Sequence, residues 1–144
     1  MKKIIMILLS VFVLSGCITQ TINLDKPVYL SFFYISTCAE CKSFKKNAIP
    51  LLENTFGKKI KIKQYDLDDE KTQPVYDKII DSLVDFDEEF YGQGPFIVLD
   101  DYFAILGYTS GDEEFLIQDI QKAVQKQPLG YELEGMRFLF KESS

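Results

Sequence analysis

The chain has no histidine and no tryptophan, and only three cysteines among its 144 residues. Without an imidazole it cannot build a Ser-His-Asp or Cys-His catalytic arrangement, a His-containing zinc or copper site, or a covalent haem attachment. Positive charge is also scarce, since 16 Lys and Arg against 22 Asp and Glu leave a net charge of -6. Duplex nucleic acid requires a concentrated positive surface, so we expect no nucleic-acid partner.

What the chain does contain is enough apolar material for a core. Hydrophobic residues make up 47% of the sequence, aromatic residues 14% and charged residues 26%, which is the composition of an ordinary globular protein. A chain of this length is expected to form one domain, because a single core typically serves about 100 to 150 residues.

The N-terminal segment has the pattern of an export signal. Two lysines precede an apolar stretch from Ile4 to Leu14, and small residues follow it. A membrane-spanning helix needs about 20 apolar residues, so this stretch is too short to span. The sequence Leu14-Ser15-Gly16-Cys17 resembles the lipobox of bacterial lipoproteins, whose cysteine receives a diacylglycerol and becomes the first mature residue. The resemblance implies that Cys17 is lipidated and that the protein is extracytoplasmic and held to a bacterial membrane. The alternative is an ordinary signal peptide cleaved nearby, with Cys17 an incidental thiol.

Four segments are predicted along the chain. Residues 1–16 are the signal peptide, 17–26 a lipid-anchored tether, 27–127 the folded domain, and 128–144 a C-terminal extension that the pattern does not place. Within the domain, periodicity predicts strands and helices in the order βαβαββα. The segments are strand 28–35, helix 40–56, strand 58–66, helix 73–86, strands 95–99 and 102–108, and helix 112–126. We also expect a kink or a short break of the helix at Pro50, an edge position for the strand 58–66, and a capping box formed by Ser110 and Glu113 at the start of the last helix.

A cysteine pair, Cys38-Ala39-Glu40-Cys41, lies between the first strand and the first helix. One interpretation of such a pair is that it forms half of a zinc site. A zinc site needs four ligands, and neither a second cysteine pair nor a histidine is available, so we expect no metal. The other reading is redox chemistry. A cysteine in the first turn of a helix is stabilised as the attacking thiolate, and a partner three residues later can close back on it. A disulfide that merely pins the helix start remains a third possibility.

Cys38-Ala39-Glu40-Cys41 at the strand-to-helix junction, Gly94-Pro95 at the opening of the third strand, and the element order together resemble the thioredoxin fold over about residues 27 to 127. The resemblance implies an α/β fold with a central mixed four-stranded sheet flanked by helices. It further implies that Cys38 is the exposed nucleophile, that Cys41 is the buried resolving thiol, and that Pro95 follows a cis peptide bond and shapes a substrate groove with Gly94. Thr37 and Ala39-Glu40 depart from the family pattern, which places Trp before the first cysteine and Gly-Pro between the two.

Two roles are predicted for Glu40, and they are compatible with each other. With Thr37 it has the spacing of a capping box that closes the helix N-terminus. Its carboxylate would also oppose the helix dipole and favour the disulfide over the dithiol, which would make the protein a reductant.

The sequence therefore predicts a membrane-anchored protein-disulfide oxidoreductase that uses no cofactor and is a reductase of exported proteins. Outside the cytoplasm the cysteine pair would remain a disulfide unless another protein reduced it. This hypothesis therefore requires a membrane electron donor as partner. The alternative is a non-catalytic, lipid-anchored binding module with the same fold and a structural disulfide.

Overall fold

A computed structural model describes residues 21–142, so the signal peptide and Cys17 lie outside the described residues. The fold is a mixed five-stranded sheet with helices packed on it. The strands are β1 (Val28–Tyr34), β2 (Ile60–Asp66), β3 (Phe96–Leu99), β4 (Phe103–Leu106) and β5 (Met136–Leu139). The helices are α1 (Ala39–Ser43), α2 (Ile49–Phe56), α3 (Gln73–Ile80) and α4 (Glu113–Val124), with a π-helical turn (Phe44–Ala48) joining α1 to α2. Among the described residues, none of the helices has the length and apolar character needed to cross a membrane.

The strands lie in the order β2-β1-β3-β4-β5. β1 pairs with β2 in parallel, and the other neighbouring pairs are antiparallel. Because parallel neighbours need a crossover, the helical segment from α1 to α2 connects β1 to β2. β2 lies at one edge of the sheet, as its alternating lysines predicted. The α/β class is therefore confirmed.

The predicted four-stranded sheet is wrong by one strand. β5 comes from the part of the chain beyond residue 127 and pairs with β4, with Phe138 opposite Ala104. Its four residues include two exposed large side chains, Met136 and Leu139, so they lack the clear alternation that identifies a half-buried strand. Contacts with distant residues stabilise this strand: Phe138 packs on Phe86 with ring centroids 5.1 Å apart.

Both faces of the sheet are covered by apolar side chains. Phe32 belongs to the core beneath α2 and α4, whereas its neighbour Phe33 belongs to the core beneath α3. Both are fully buried, which explains why β1 has almost no polar residue. β1 is thus buried between β2 and β3, and the cysteine pair follows its C-terminal end.

Several predicted boundaries and caps need correction. Helix 73–86 ends at Ile80, because the chain then turns so that Val84 N–H donates to Leu139 of β5. Strand 102–108 is limited to the four residues of β4 that pair in the sheet. At Pro50, the α-helical pattern is interrupted by the π-helical turn directly before α2, a local irregularity of the kind expected where a proline lacks its N–H.

Neither capping box forms. The residue that caps α1 is Cys38, not Thr37, and the Glu40 carboxylate accepts a hydrogen bond from the Tyr108 backbone N–H instead. At α4 the N-cap is Asp112, while the hydroxyl of Ser110 accepts from the side chain of Asn47. Glu40 and Ser110 thus bond to distant residues, whereas the cap of α1 is a local contact between the Cys41 N–H and the Cys38 sulfur.

Candidate functional site

The two cysteines lie at the point where β1 leads into α1. Cys38 has an extended backbone and is the N-cap residue, so its side chain faces the free N–H groups of the first turn. Its sulfur accepts a hydrogen bond from the Cys41 backbone N–H at 3.1 Å. The same N–H dipoles would stabilise a thiolate at this position after reduction.

Cys38 and Cys41 are joined by a disulfide, with their Cα atoms 5.2 Å apart. Cys41 is only 1% exposed, whereas Cys38 is partly exposed. One turn of helix therefore separates a sulfur that solvent can reach from a sulfur enclosed by the core. An incoming thiolate or disulfide can contact the first and not the second.

The loop before β3 lies against this pair. The Gly94–Pro95 peptide bond is cis, as the resemblance implied. The Gly94 carbonyl oxygen is 3.5 Å from the Cys38 sulfur, and a methyl group added at Gly94 would lie 3.4 Å from the Cys41 sulfur. The predicted site residues Cys38, Cys41, Gly94 and Pro95 are thus brought together from segments more than 50 residues apart.

A cavity of about 640 Å³ opens beside Cys38. Its walls come from the start of α1, the loop before β3, the end of β4 and the segment leading into β5. The lining residues are Cys38, Ala39, Glu40, Phe90, Gln93, Gly94, Leu106, Gly107, Glu134 and Met136. Buried Pro95 does not line this cavity but supports Gly94, which does.

Sequence reasoning missed the part of the cavity wall that residues beyond 127 provide. Glu134 accepts a hydrogen bond from the Thr109 hydroxyl at 2.9 Å, and Met136 is 47% exposed beside it. Nothing in their local sequence marks these residues, because only the pairing of β5 with β4 brings them to the site. A tail that is rich in apolar residues after the last helix was the one available signal.

Tyr108 borders the site and links its elements. Its ring packs edge-on against Phe44 with centroids 5.1 Å apart, and its hydroxyl donates to Glu113. Burial raises the pKa of this phenol well above its usual range, and the bond to Glu113 adds to the shift. Tyr108 therefore remains a neutral hydrogen-bond donor here and does not serve as a proton acceptor at neutral pH.

Among the described residues, none of the lysines that follow the cysteine pair lines the cavity at Cys38. The ammonium group of Lys45 lies 3.0 Å from the centre of the Tyr34 ring, a cation–π arrangement at the end of β1. Lys42 and Lys46 are exposed. The charged side chains that line the cavity at Cys38 are the carboxylates of Glu40 and Glu134.

The N-terminal segment identifies where this site operates. The family model of the prokaryotic membrane lipoprotein lipid attachment site matches residues 1–17, a match that ends at Cys17. The chain is a lipid-anchored bacterial membrane protein. Its domain is exposed outside the cytoplasm, and the lipid anchor associates it with the membrane. Comparison with curated proteins and with solved structures finds no match to the chain.

Proposed function

We propose that this lipoprotein is an extracytoplasmic thiol-disulfide oxidoreductase with a thioredoxin fold. The proposal draws support from the mixed sheet flanked by helices and from the βαβαββα order of the elements up to α4, both of which the thioredoxin resemblance implied. β5 adds a strand to one edge and leaves that arrangement intact.

The observation that carries the proposal is the position of the Cys38 sulfur. It caps the first helical turn, bonds to Cys41 and is partly open to a cavity, while Cys41 is enclosed. A disulfide that only pinned a helix start would add little stability, because closing so short a loop constrains the unfolded chain only weakly. Exposure of one sulfur beside a cavity also has no structural purpose, whereas exchange with a second protein requires it.

In the proposed reaction, reduced Cys38 attacks as a thiolate on one sulfur of a client disulfide. A mixed disulfide forms between Cys38 and the client, and the other client sulfur leaves as a thiolate that takes up a proton. Cys41 then loses its proton and attacks Cys38, which releases the second client thiol and leaves the Cys38–Cys41 disulfide. The client gains two electrons and two protons, and the dithiol loses them.

We propose the reducing direction, with exported proteins that contain disulfides as clients and a membrane electron donor that returns the dithiol to its reduced form. The carboxylates of Glu40 and Glu134 beside Cys38 support this direction, because nearby negative charge disfavours a thiolate and thus favours the disulfide product. Gly94 and Pro95 are proposed to shape the groove in which the client segment lies.

A Cys41→Ser variant tests the exchange reaction. Without the resolving thiol, Cys38 should accumulate mixed disulfides with exported proteins, visible as high-mass species that disappear on reduction. The matched control is the Cys38→Ser/Cys41→Ser double variant, which should form none. If the single variant also forms none while both variants retain a partner, the non-catalytic binding module is the correct function.

Redox direction is tested in cells by acid-quenched thiol trapping. A reductase that is recharged from the membrane should have Cys38 and Cys41 in the dithiol form in a substantial fraction of molecules. A pair found fully disulfide-bonded at steady state would contradict the reductase assignment and favour an oxidase.

A further inference from the structure

The chain leaves the domain towards its anchor at a fixed point. The Ile22 backbone N–H donates to the Thr55 carbonyl near the end of α2 at 2.7 Å, and Leu24 is 4% exposed. Only four residues separate Ile22 from Cys17, so this point can lie at most about 17 Å from the lipidated residue. The predicted tether 17–26 is therefore held against the domain from Ile22 onward. The membrane must lie next to this end of the fold.

The cysteine pair lies at the opposite end. β1 and β2 run in parallel away from the tether, since Val28 and Ile60 are partners at their start, and the pair follows the far end of β1. Seven residues of strand span about 20 Å. The sheet thus separates the anchor end from the site end by its full height.

Lysines are concentrated at the anchor end. Lys26 precedes β1, and Lys58 and Lys59 follow α2 a few residues after Thr55. Lys61 lies next to Tyr29 in the sheet register, and Lys126 follows α4, whose end lines a small cavity together with residues 22–25. We call these five residues the lysine face: Lys26, Lys58, Lys59, Lys61 and Lys126. Tyr29 is 46% exposed within it, and the Lys61 ammonium lies 5.5 Å from its ring.

Acids also lie at the anchor end. Asp25, Glu53 and Asp101 are near the lysine face, together with Asp100, which is partly buried, bonds to Ser31 and is close to a further lysine, Lys63. Asp81 and Glu142 lie on the side of the sheet covered by α3, where Lys141 donates to the Asp81 carbonyl. At the site end Glu40 and Glu134 line the cavity, and in the part of the chain that the structure describes no lysine does so. The five residues of the lysine face thus lie at the end of the domain opposite the two carboxylates that line the cavity at Cys38.

We propose that the lysine face docks on an anionic phospholipid leaflet and holds the Cys38 site facing away from the membrane. The short tether brings these ammonium groups within reach of lipid phosphates, and each lysine close to an anionic surface is expected to strengthen the contact about fivefold. Exposed Tyr29 suits the interfacial layer, where aromatic rings with a polar tip are favoured. The acidic site end is repelled by the same surface. This inference concerns orientation and does not depend on the proposed redox function.

Lysine acetylation on reconstituted protein tests the proposal. The lipidated full-length product is inserted in vesicles of phosphatidylcholine alone or with about one third phosphatidylglycerol, and acetylation rates are read by mass spectrometry. Lys58 and Lys59 should react at least about fivefold more slowly on the anionic vesicles, with Lys42 and Lys46 unchanged. Because exposed charges are screened, salt at about 0.5 M should abolish the difference.

A charge-reversal variant, Lys58→Glu/Lys59→Glu, should lose the protection of Lys61 and Lys126 on anionic vesicles. Its matched control, Lys42→Glu/Lys46→Glu, carries the same charge change at the other end of the helical segment and should retain it. Equal rates for the unaltered protein on both vesicle types would overturn the proposal, as would protection of Lys42 and Lys46 instead. Equal protection of Lys58 and Lys59 by soluble polyphosphate on neutral vesicles would also overturn it, because a polyanion would then be the partner.

Discussion

Asp119 ties α4 to the segment that leads into β5, and its replacement by alanine should destabilise the domain strongly. Asp119 is 2% exposed. Its carboxylate accepts a hydrogen bond from the Gly130 backbone N–H at 2.8 Å and pairs with the Arg137 guanidinium. Arg137 also donates to the Gly130 carbonyl, and its Nε has no partner. Removing the carboxylate would leave a guanidinium largely enclosed without its counter-charge.

The magnitude follows from this burial. Breaking a buried ion pair by removing one partner costs about 3 to 5 kcal/mol, and the Arg137 side chain is 20% exposed, which lowers the expectation to about 3 kcal/mol. With an urea m-value of about 1.5 kcal/mol per M for a domain of this size, the midpoint should fall by about 2 M. Urea unfolding followed by circular dichroism measures it directly.

A matched control and a double variant complete the test. Glu114→Ala removes the same charge from an exposed position on α4 and should cost no more than about 0.5 kcal/mol. Arg137→Met combined with Asp119→Ala should recover part of the loss, because no unpaired charge then remains. If Asp119→Ala cost as little as the control, the pair would contribute nothing and the reasoning would be refuted.

Three further predictions concern the site, a buried acid and β5. Glu40→Gln should raise the reduction potential of the dithiol by about 10 mV, since it removes an exposed negative charge near Cys38, and titration against glutathione measures this. Burial raises the pKa of the Asp100 carboxyl, with the Ser31 hydrogen bond opposing it. The folded state therefore disfavours ionised Asp100, and its contribution to stability is present at low pH and lost as pH rises through the raised pKa. Asp100→Asn should flatten this decline in urea unfolding between acidic and neutral pH. Phe138→Ala should cost about 3 kcal/mol in thermal or urea unfolding, because its ring is 5% exposed against Phe86.

Each of these predictions has an outcome that contradicts it. Glu53→Gln, at the far end of the helical segment, is the control and should leave the reduction potential unchanged. If Glu40→Gln also leaves it unchanged, the Glu40 carboxylate does not act on the dithiol. Identical pH profiles of the Asp100→Asn variant and the unaltered protein would show that burial of this acid carries no cost. A Phe138→Ala variant as stable as one at exposed Leu139 would mean that β5 adds little to the core.

The cysteine site could be predicted in its essentials from sequence. The two cysteines are close in sequence. Cys38 and Cys41 lie three residues apart after an apolar strand, and this local pattern alone predicts their position at the start of a helix. Only the resemblance to the thioredoxin fold points to Gly94-Pro95, and its position beside the pair is visible only in the structure, where the Gly94 carbonyl lies 3.5 Å from the Cys38 sulfur. The acidic and apolar wall formed by Glu134 and Met136 was not predictable, because no local signal ties it to the site.

The sequence by itself determined the export and lipid-anchoring signal, the buried character of β1, the lysine-edged β2 and the hairpin between β3 and β4. The export and lipid-anchoring signal is a motif of residues 1–17. The other three features depend on periodicity within about ten residues, where local sterics and burial are sufficient. Tertiary structure alone decided β5, the Asp119–Arg137 pair and the partners of Glu40 and Ser110, which bond to Tyr108 and Asn47. There the competing local and distant hydrogen bonds differ little in free energy, so the partner that packing brings close determines the outcome.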